Sequence, residues 1–78
     1  MSEEIKLNDT YTLLGKTIRE KRESQSISVQ DLAGGLGMSR DRLELIENGK
    51  DRDITISELI LVSQKLNVSL NKLFIDFH

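Results

Sequence analysis

The chain has 78 residues, 11 Lys and Arg against 13 Asp and Glu for a formal net charge of −2, one histidine at its last position, and neither cysteine nor proline. That composition excludes a disulfide scaffold and a thiolate metal site and leaves a nucleophile or general base almost nothing to pair with, so neither catalysis nor a cofactor is expected. A domain of this size buries only about 60% of its unfolded surface, no apolar run approaches the roughly 20 residues that span a bilayer, and the N-terminus lacks a signal-peptide pattern; a small cytoplasmic binding protein fits.

Residues 1–9 are polar apart from Ile5 and Leu7 and show no helical periodicity, which predicts a flexible N-terminal arm ahead of a single domain over 10–78. Leu14 and Ile18, one helical turn apart, place a first helix from Thr10 or Thr12 to Ser24, with Ile27 closing onto the core. Ser28 precedes Asp31 at the spacing by which a hydroxyl and a carboxylate satisfy the free N–H groups of a helix start. Leu32, Ala33 and Leu36 then recur at helical spacing up to Gly37, a left-handed stop. Gly34 and Gly35 lie inside this second helix, each costing about 1 kcal/mol relative to Ala. Ser39 caps a third helix, which carries Leu43 and Ile46 and ends at Asn48-Gly49, and the run from Lys50 to Asp53 is a charged loop. Thr55 and Glu58 repeat the capping-box spacing at the start of a fourth helix. Its predicted inner face is Ile56, Leu59, Ile60, Ser63 and Leu66, and its stop is Asn67. Ser69 caps a fifth helix, with Val68 stapled onto Leu73. Ile54, Thr55 and Ile56 are β-branched, but three residues without a pairing partner form a loop entry.

Two short helices joined by a glycine turn have the dimensions of the unit that sets its second helix in the major groove of DNA. The set Arg22, Leu32, Ala33, Gly37, Ser39, Leu43, Ile46, Glu47 and Gly49, continued by Glu58, Leu59, Leu66, Val68, Ser69 and Leu73, resembles the Xre family of Cro and phage-repressor type regulators over residues 13–75. The resemblance implies an all-α, compact five-helix bundle of the lambda-repressor-like kind that contains a helix-turn-helix. It implies sequence-specific binding of double-stranded DNA as a transcriptional regulator, a repressor first, with helix 39–48 in the groove and a homodimer on a palindromic operator. It further implies an ion pair between Arg22 and Glu47 that ties the first helix to the third, and phosphate contacts from Asn48, Lys50 and Arg52 that set register. The sequence departs from the family at Val29, where a phosphate-touching Gln is usual.

A rotation of about 100° per residue puts Leu43, Ile46 and Glu47 on one side of the third helix and Asp41, Glu44, Leu45 and Asn48 on the other, with Arg40 and Arg42 at the flanks. Arg40, Asp41, Glu44 and Leu45 are therefore the candidate base readers. A guanidinium grips guanine O6 and N7 together, a carboxylate accepts from the cytosine amino group and a leucine meets the thymine methyl. Each has a plainer role: Arg40 and Glu44 as an exposed pair one turn apart, Asp41 as surface charge, Leu45 as an ordinary exposed apolar residue. The candidate phosphate contacts are Ser28, Ser39, Arg42, Asn48, Lys50 and Arg52, although capping alone would account for the two serines. The acidic balance opposes duplex binding, which draws on Lys and Arg, unless Arg19, Lys21, Arg22, Arg40, Arg42, Lys50 and Arg52 share one rim. Leu70, Phe74, Ile75 and Phe77 carry more apolar surface than one short helix hides and form the candidate dimer or partner face. A homodimer would use it to set two reading helices about 34 Å apart. An antitoxin or adaptor would show it to another protein, such as a toxin, and bind DNA weakly.

Overall fold

The computed structural model describes the backbone of residues 2–73 and the side chains of residues 10–73. Five helices follow in chain order: α1 (Ser2–Ser24), α2 (Val29–Leu36), α3 (Arg40–Glu47), α4 (Ile56–Lys65) and α5 (Leu70–Leu73). The described residues contain no strand, and no helix among them is long and apolar enough to cross a membrane.

The core is the set of apolar residues that recur at helical spacing: Leu14 and Ile18 of α1, Leu32, Ala33 and Leu36 of α2, Leu43 and Ile46 of α3, Leu59 and Val62 of α4, then Leu66 and Leu73. Burying each aliphatic side chain contributes about 1.5–3 kcal/mol relative to leaving it in water. Around this centre α3 packs on α1 and α2, α4 packs on α2 and α5, and α5 returns to α1. Val29 is half-buried against the core, which gives an apolar residue a packing role where the resembling family carries Gln.

Local chemistry starts and stops the helices. Ser28 Oγ accepts from Asp31 N–H at 3.0 Å and Ser39 Oγ accepts from Arg42 N–H at 3.1 Å. Thr55 and Glu58 close a reciprocal capping box. Gly37 leaves α2 at φ +69°, a left-handed conformation that favours glycine. Its N–H reaches Gly34 O at 3.2 Å, and Met38 N–H reaches Ala33 O at 3.0 Å. The turn between α2 and α3 is thereby closed in three residues.

Three features differ from the periodicity. First, α1 begins at Ser2, not at Thr10 or Thr12, so the backbone of residues 2–9 continues the first helix instead of forming a separate arm. Residues 2–14 contain neither Gly nor Pro, so nothing in that stretch breaks a helix. Second, the buried stripe of α4 is Leu59, Val62, Ser63 and Leu66, while Ile56 and Ile60 are 65% and 41% exposed. A residue at i+1 or i−3 turns to the edge of that stripe, so these two β-branched residues lie along its border. Third, Leu70 is half-buried and packed against the core, which leaves it little surface for a partner, and Phe74, Ile75 and Phe77 lie outside the described residues.

Neither Gly34 nor Gly35 is needed by the chain's own packing. A Cβ on Gly34 would meet nothing within 4 Å, and one on Gly35 would touch only the flexible stem of Lys65, at 3.4 Å. Gly34→Ala should therefore raise stability by about 0.5–1 kcal/mol through helix propensity and a less disordered unfolded chain. The check is a higher urea midpoint with an unchanged slope.

Candidate nucleic-acid interface

The orientation of α3 is set from behind. Gly15 of α1 is buried where α1 crosses the last turn of α3. A Cβ there would stand 2.2 Å from Ile46 O and 2.6 Å from Glu47 O, so only a residue without one permits this close approach. The sequence signal was available, since Gly15 sits next to Leu14 on the core-facing side of a helix, but periodicity alone does not separate a packing glycine from a tolerated one.

Beside that crossing, Arg22 and Glu47 lie 8% and 5% exposed. Arg22 Nε donates to Glu47 Oε2 at 2.7 Å and Nη2 donates to Oε1 at 3.1 Å, a fork-to-fork pair, while Nη1 donates to Ile27 O at 2.8 Å. The hydrogen bond to Glu47 raises the Arg22 pKa above its ordinary value despite burial, so the guanidinium stays charged. Arg19 approaches the same carboxylate at 3.6 Å and donates to Asn48 Oδ1. Asn48 is exposed just past α3, and its amide N–H₂ is a donor. Among the described residues no buried side-chain nitrogen or oxygen lacks a hydrogen-bond partner.

On the opposite side of α3, Arg40, Asp41, Leu45 and Asn48 are exposed and Glu44 is half-buried. Arg40 Nε lies 3.4 Å from Glu44 Oε2, a weak exposed pair that a stronger partner can displace. Leu45 is 46% exposed. Ser28 and Ser39, at the starts of α2 and α3, each accept a backbone N–H and keep a hydroxyl proton to donate.

The loop after α3 holds two more of the candidate cations. Lys50 and Arg52 are exposed, and the Arg52 guanidinium lies over the Tyr11 ring, 4.9 Å from its centroid. Arg42, a candidate phosphate contact by its place on the flank of α3, has other partners. Its Nε donates to Asp51 Oδ2 at 2.9 Å, its Nη2 to Glu58 Oε1 at 2.9 Å and its Nη1 to Glu58 Oε2. The bond to Arg42 holds the Glu58 carboxyl below its ordinary value. Two carboxylates that neutralise one guanidinium leave it little attraction for a phosphate.

Four similarities to known proteins bear on this arrangement. The family described as Helix-turn-helix matches residues 18–73. Control protein C.SmaI of Serratia marcescens is 32% identical over 65 residues, which are 83% of this chain and 76% of that protein. The restriction-modification controller protein C.AhdI from Aeromonas hydrophila has the same fold, with a TM-score of 0.76 at 23% identity over 82% of this chain and 96% of its own. SinR, the master regulator for biofilm formation, solved in complex with DNA, superimposes with a TM-score of 0.72 at 30% identity over 78% of this chain and 97% of its own.

Proposed function

The chain belongs to the helix-turn-helix family of DNA-binding regulators, and on that basis we propose that it is a transcriptional repressor that reads duplex DNA with α3 in the major groove. The observation that carries this reading is the two-sidedness of α3. Leu43, Ile46 and Glu47 are buried against the rest of the domain, and Arg40, Asp41, Leu45 and Asn48 face outward. In this role Arg40 grips a guanine edge, Asp41 and Glu44 accept from cytosine, and Leu45 meets a thymine methyl. Ser28, Ser39, Asn48, Lys50 and Arg52 contact phosphates and set the register. SinR, similar to this chain in fold, was solved in complex with DNA, which supports the DNA reading. Two copies on a palindromic operator would hold their reading helices about 34 Å apart. The exposed Ile56, Ile60 and Leu61 of α4 support an interface between copies, and Phe74, Ile75 and Phe77 join the proposed face by their apolar character.

The same exposed residues of α4 favour a second reading, in which the chain is an antitoxin or adaptor that offers this face to a different protein, such as a toxin, and binds DNA weakly. The ion pairs on Arg40 and Arg42 and the packing of Val29 are consistent with it.

Salt separates the two readings. A DNA reader loses affinity for a duplex selected from a random pool steeply as salt rises, while an apolar protein contact barely changes. Within the DNA reading, Arg40→Ala relaxes preference at one base position, at about 1–3 kcal/mol for the lost guanine grip. Lys50→Ala weakens every sequence alike and reduces the salt slope by about 1. Equal losses on every sequence from both substitutions would refute these roles.

A further inference from the structure

Arg42 links three elements through its side chain, beside the backbone bond from Lys50 N–H to Leu45 O at 2.9 Å that ties the start of the loop to α3. It stands on α3, and its guanidinium is divided between Asp51 in the loop of residues 48–55 and Glu58 in the first turn of α4. Each acid also engages the loop backbone. Asp51 Oδ1 accepts from Asp53 N–H at 2.7 Å, and Glu58 Oε1 accepts from Thr55 N–H at 2.9 Å. One side chain of α3 thus anchors the middle and the end of the loop, and Lys50 and Arg52 flank the anchored Asp51. Arg52 has a second restraint in the Tyr11 ring of α1.

We propose that Arg42 is a positioning residue for DNA binding: through Asp51 and Glu58 it holds the loop so that Lys50 and Arg52 present their charges to the phosphate backbone beside α3. The proposal rests on the DNA reading above and assigns Arg42 no phosphate of its own. The physical reason is preorganisation. A loop without helix or strand, released from Arg42, brings Lys50 and Arg52 to the phosphates only by giving up its conformational freedom, and where that cost exceeds the gain from the contacts they are not made. The anchor is bidentate on one carboxylate and single on the other, a geometry that guanidinium provides and a lysine ammonium does not. Two acids beside a proposed DNA contact would otherwise repel phosphate, and with Arg42 between them they do so far less.

The test measures the salt dependence of binding to a duplex selected from a random pool for the unsubstituted chain, Lys50→Ala, Arg42→Met and the double variant. Thermal unfolding of each identifies the folded ones. In the unsubstituted background Lys50→Ala lowers the slope of log K against log salt by about 0.9, the value of one phosphate contact. The proposal expects Arg42→Met to lower the slope by more than one contact, and Lys50→Ala to add little or nothing to it. If Arg42 instead touched a phosphate itself, Arg42→Met would remove one contact and Lys50→Ala would remove another in full; that additive result overturns the proposal. Should Arg42→Met fail to fold, Asp51→Asn, which leaves the capping box of α4 and the Arg42 charge in place, is paired with Lys50→Ala: the proposal expects Asp51→Asn to lower the slope and Lys50→Ala to add little to it, and an unchanged slope for Asp51→Asn with the full Lys50→Ala loss overturns it. Absence of duplex binding by the unsubstituted chain at low salt overturns the DNA reading and this proposal together, whereas binding with additive losses overturns this proposal alone.

Discussion

Glu47→Ala is expected to remove about 3–5 kcal/mol of stability, the usual result of deleting one partner of a buried ion pair. Glu47 is 5% exposed and receives two hydrogen bonds from Arg22, which is itself 8% exposed. Without the carboxylate, the guanidinium keeps the Ile27 carbonyl and a 3.7 Å approach to the solvent-facing Glu23, neither of which replaces a buried countercharge. Against a typical total of about 5–15 kcal/mol for a domain, that loss leaves a large fraction unfolded. The size comes from the orphaned cation and not from the net value of the pair. Arg22→Met combined with Glu47→Leu, which removes both charges and keeps the volume apolar, is therefore expected to be close to neutral. Urea titrations of Arg22→Met, Glu47→Leu and the double variant measure the coupling directly. A loss below about 1 kcal/mol from Glu47→Ala would mean that the pair is solvated.

Gly15→Ala should also destabilise, and in the direction opposite to helix propensity. Alanine in place of an interior helical glycine ordinarily gains about 1 kcal/mol. At position 15 the added methyl would stand 2.2 Å from one backbone carbonyl oxygen and 2.6 Å from another, and both belong to the last turn of α3. No side chain can rotate to make room, so α1 and α3 must separate, and overpacking of that kind costs about 1–3 kcal/mol beyond the propensity gain. The separation tilts the reading helix as well. DNA affinity measured on the folded fraction should consequently fall, a result that a loss of stability alone would not produce. Gly34→Ala on α2 is the control, because the same substitution there meets open space. The two should shift the urea midpoint in opposite directions.

The sequence made local chemistry legible and left distant partners hidden. Ser28, Ser39 and the pair Thr55 with Glu58 cap helices through bonds three residues long, so spacing alone places them. Leu32, Ala33, Leu36, Leu43 and Ile46 are buried as their period implies. What escaped depends on contacts between elements. Periodicity accepts Ile56 and Ile60 on the inner face of α4 beside Leu59, and only the packing of α4 on α2 and α5 turns Val62 inward in their place. Gly15 needs the carbonyls of α3 to explain it, 31 and 32 positions away along the chain, at Ile46 and Glu47. A wheel puts Arg42 on the flank of α3 without revealing that Asp51 and Glu58 converge on it from the loop and from α4. The start of α1 was obscured for another reason: residues 2–9 lack an apolar period while containing nothing that breaks a helix.

The most direct measurement of the proposed DNA contact is an NMR titration of the chain with a duplex selected from a random pool, at low salt and again at high salt. If α3 reads the groove, amide signals of Arg40, Asp41, Glu44, Leu45 and Asn48 shift on binding together with those of Lys50 and Arg52, and the shifts require more DNA as salt rises. Signals that stay fixed along α3 while Ile56, Ile60 and Leu61 move, or a titration indifferent to salt, would contradict it.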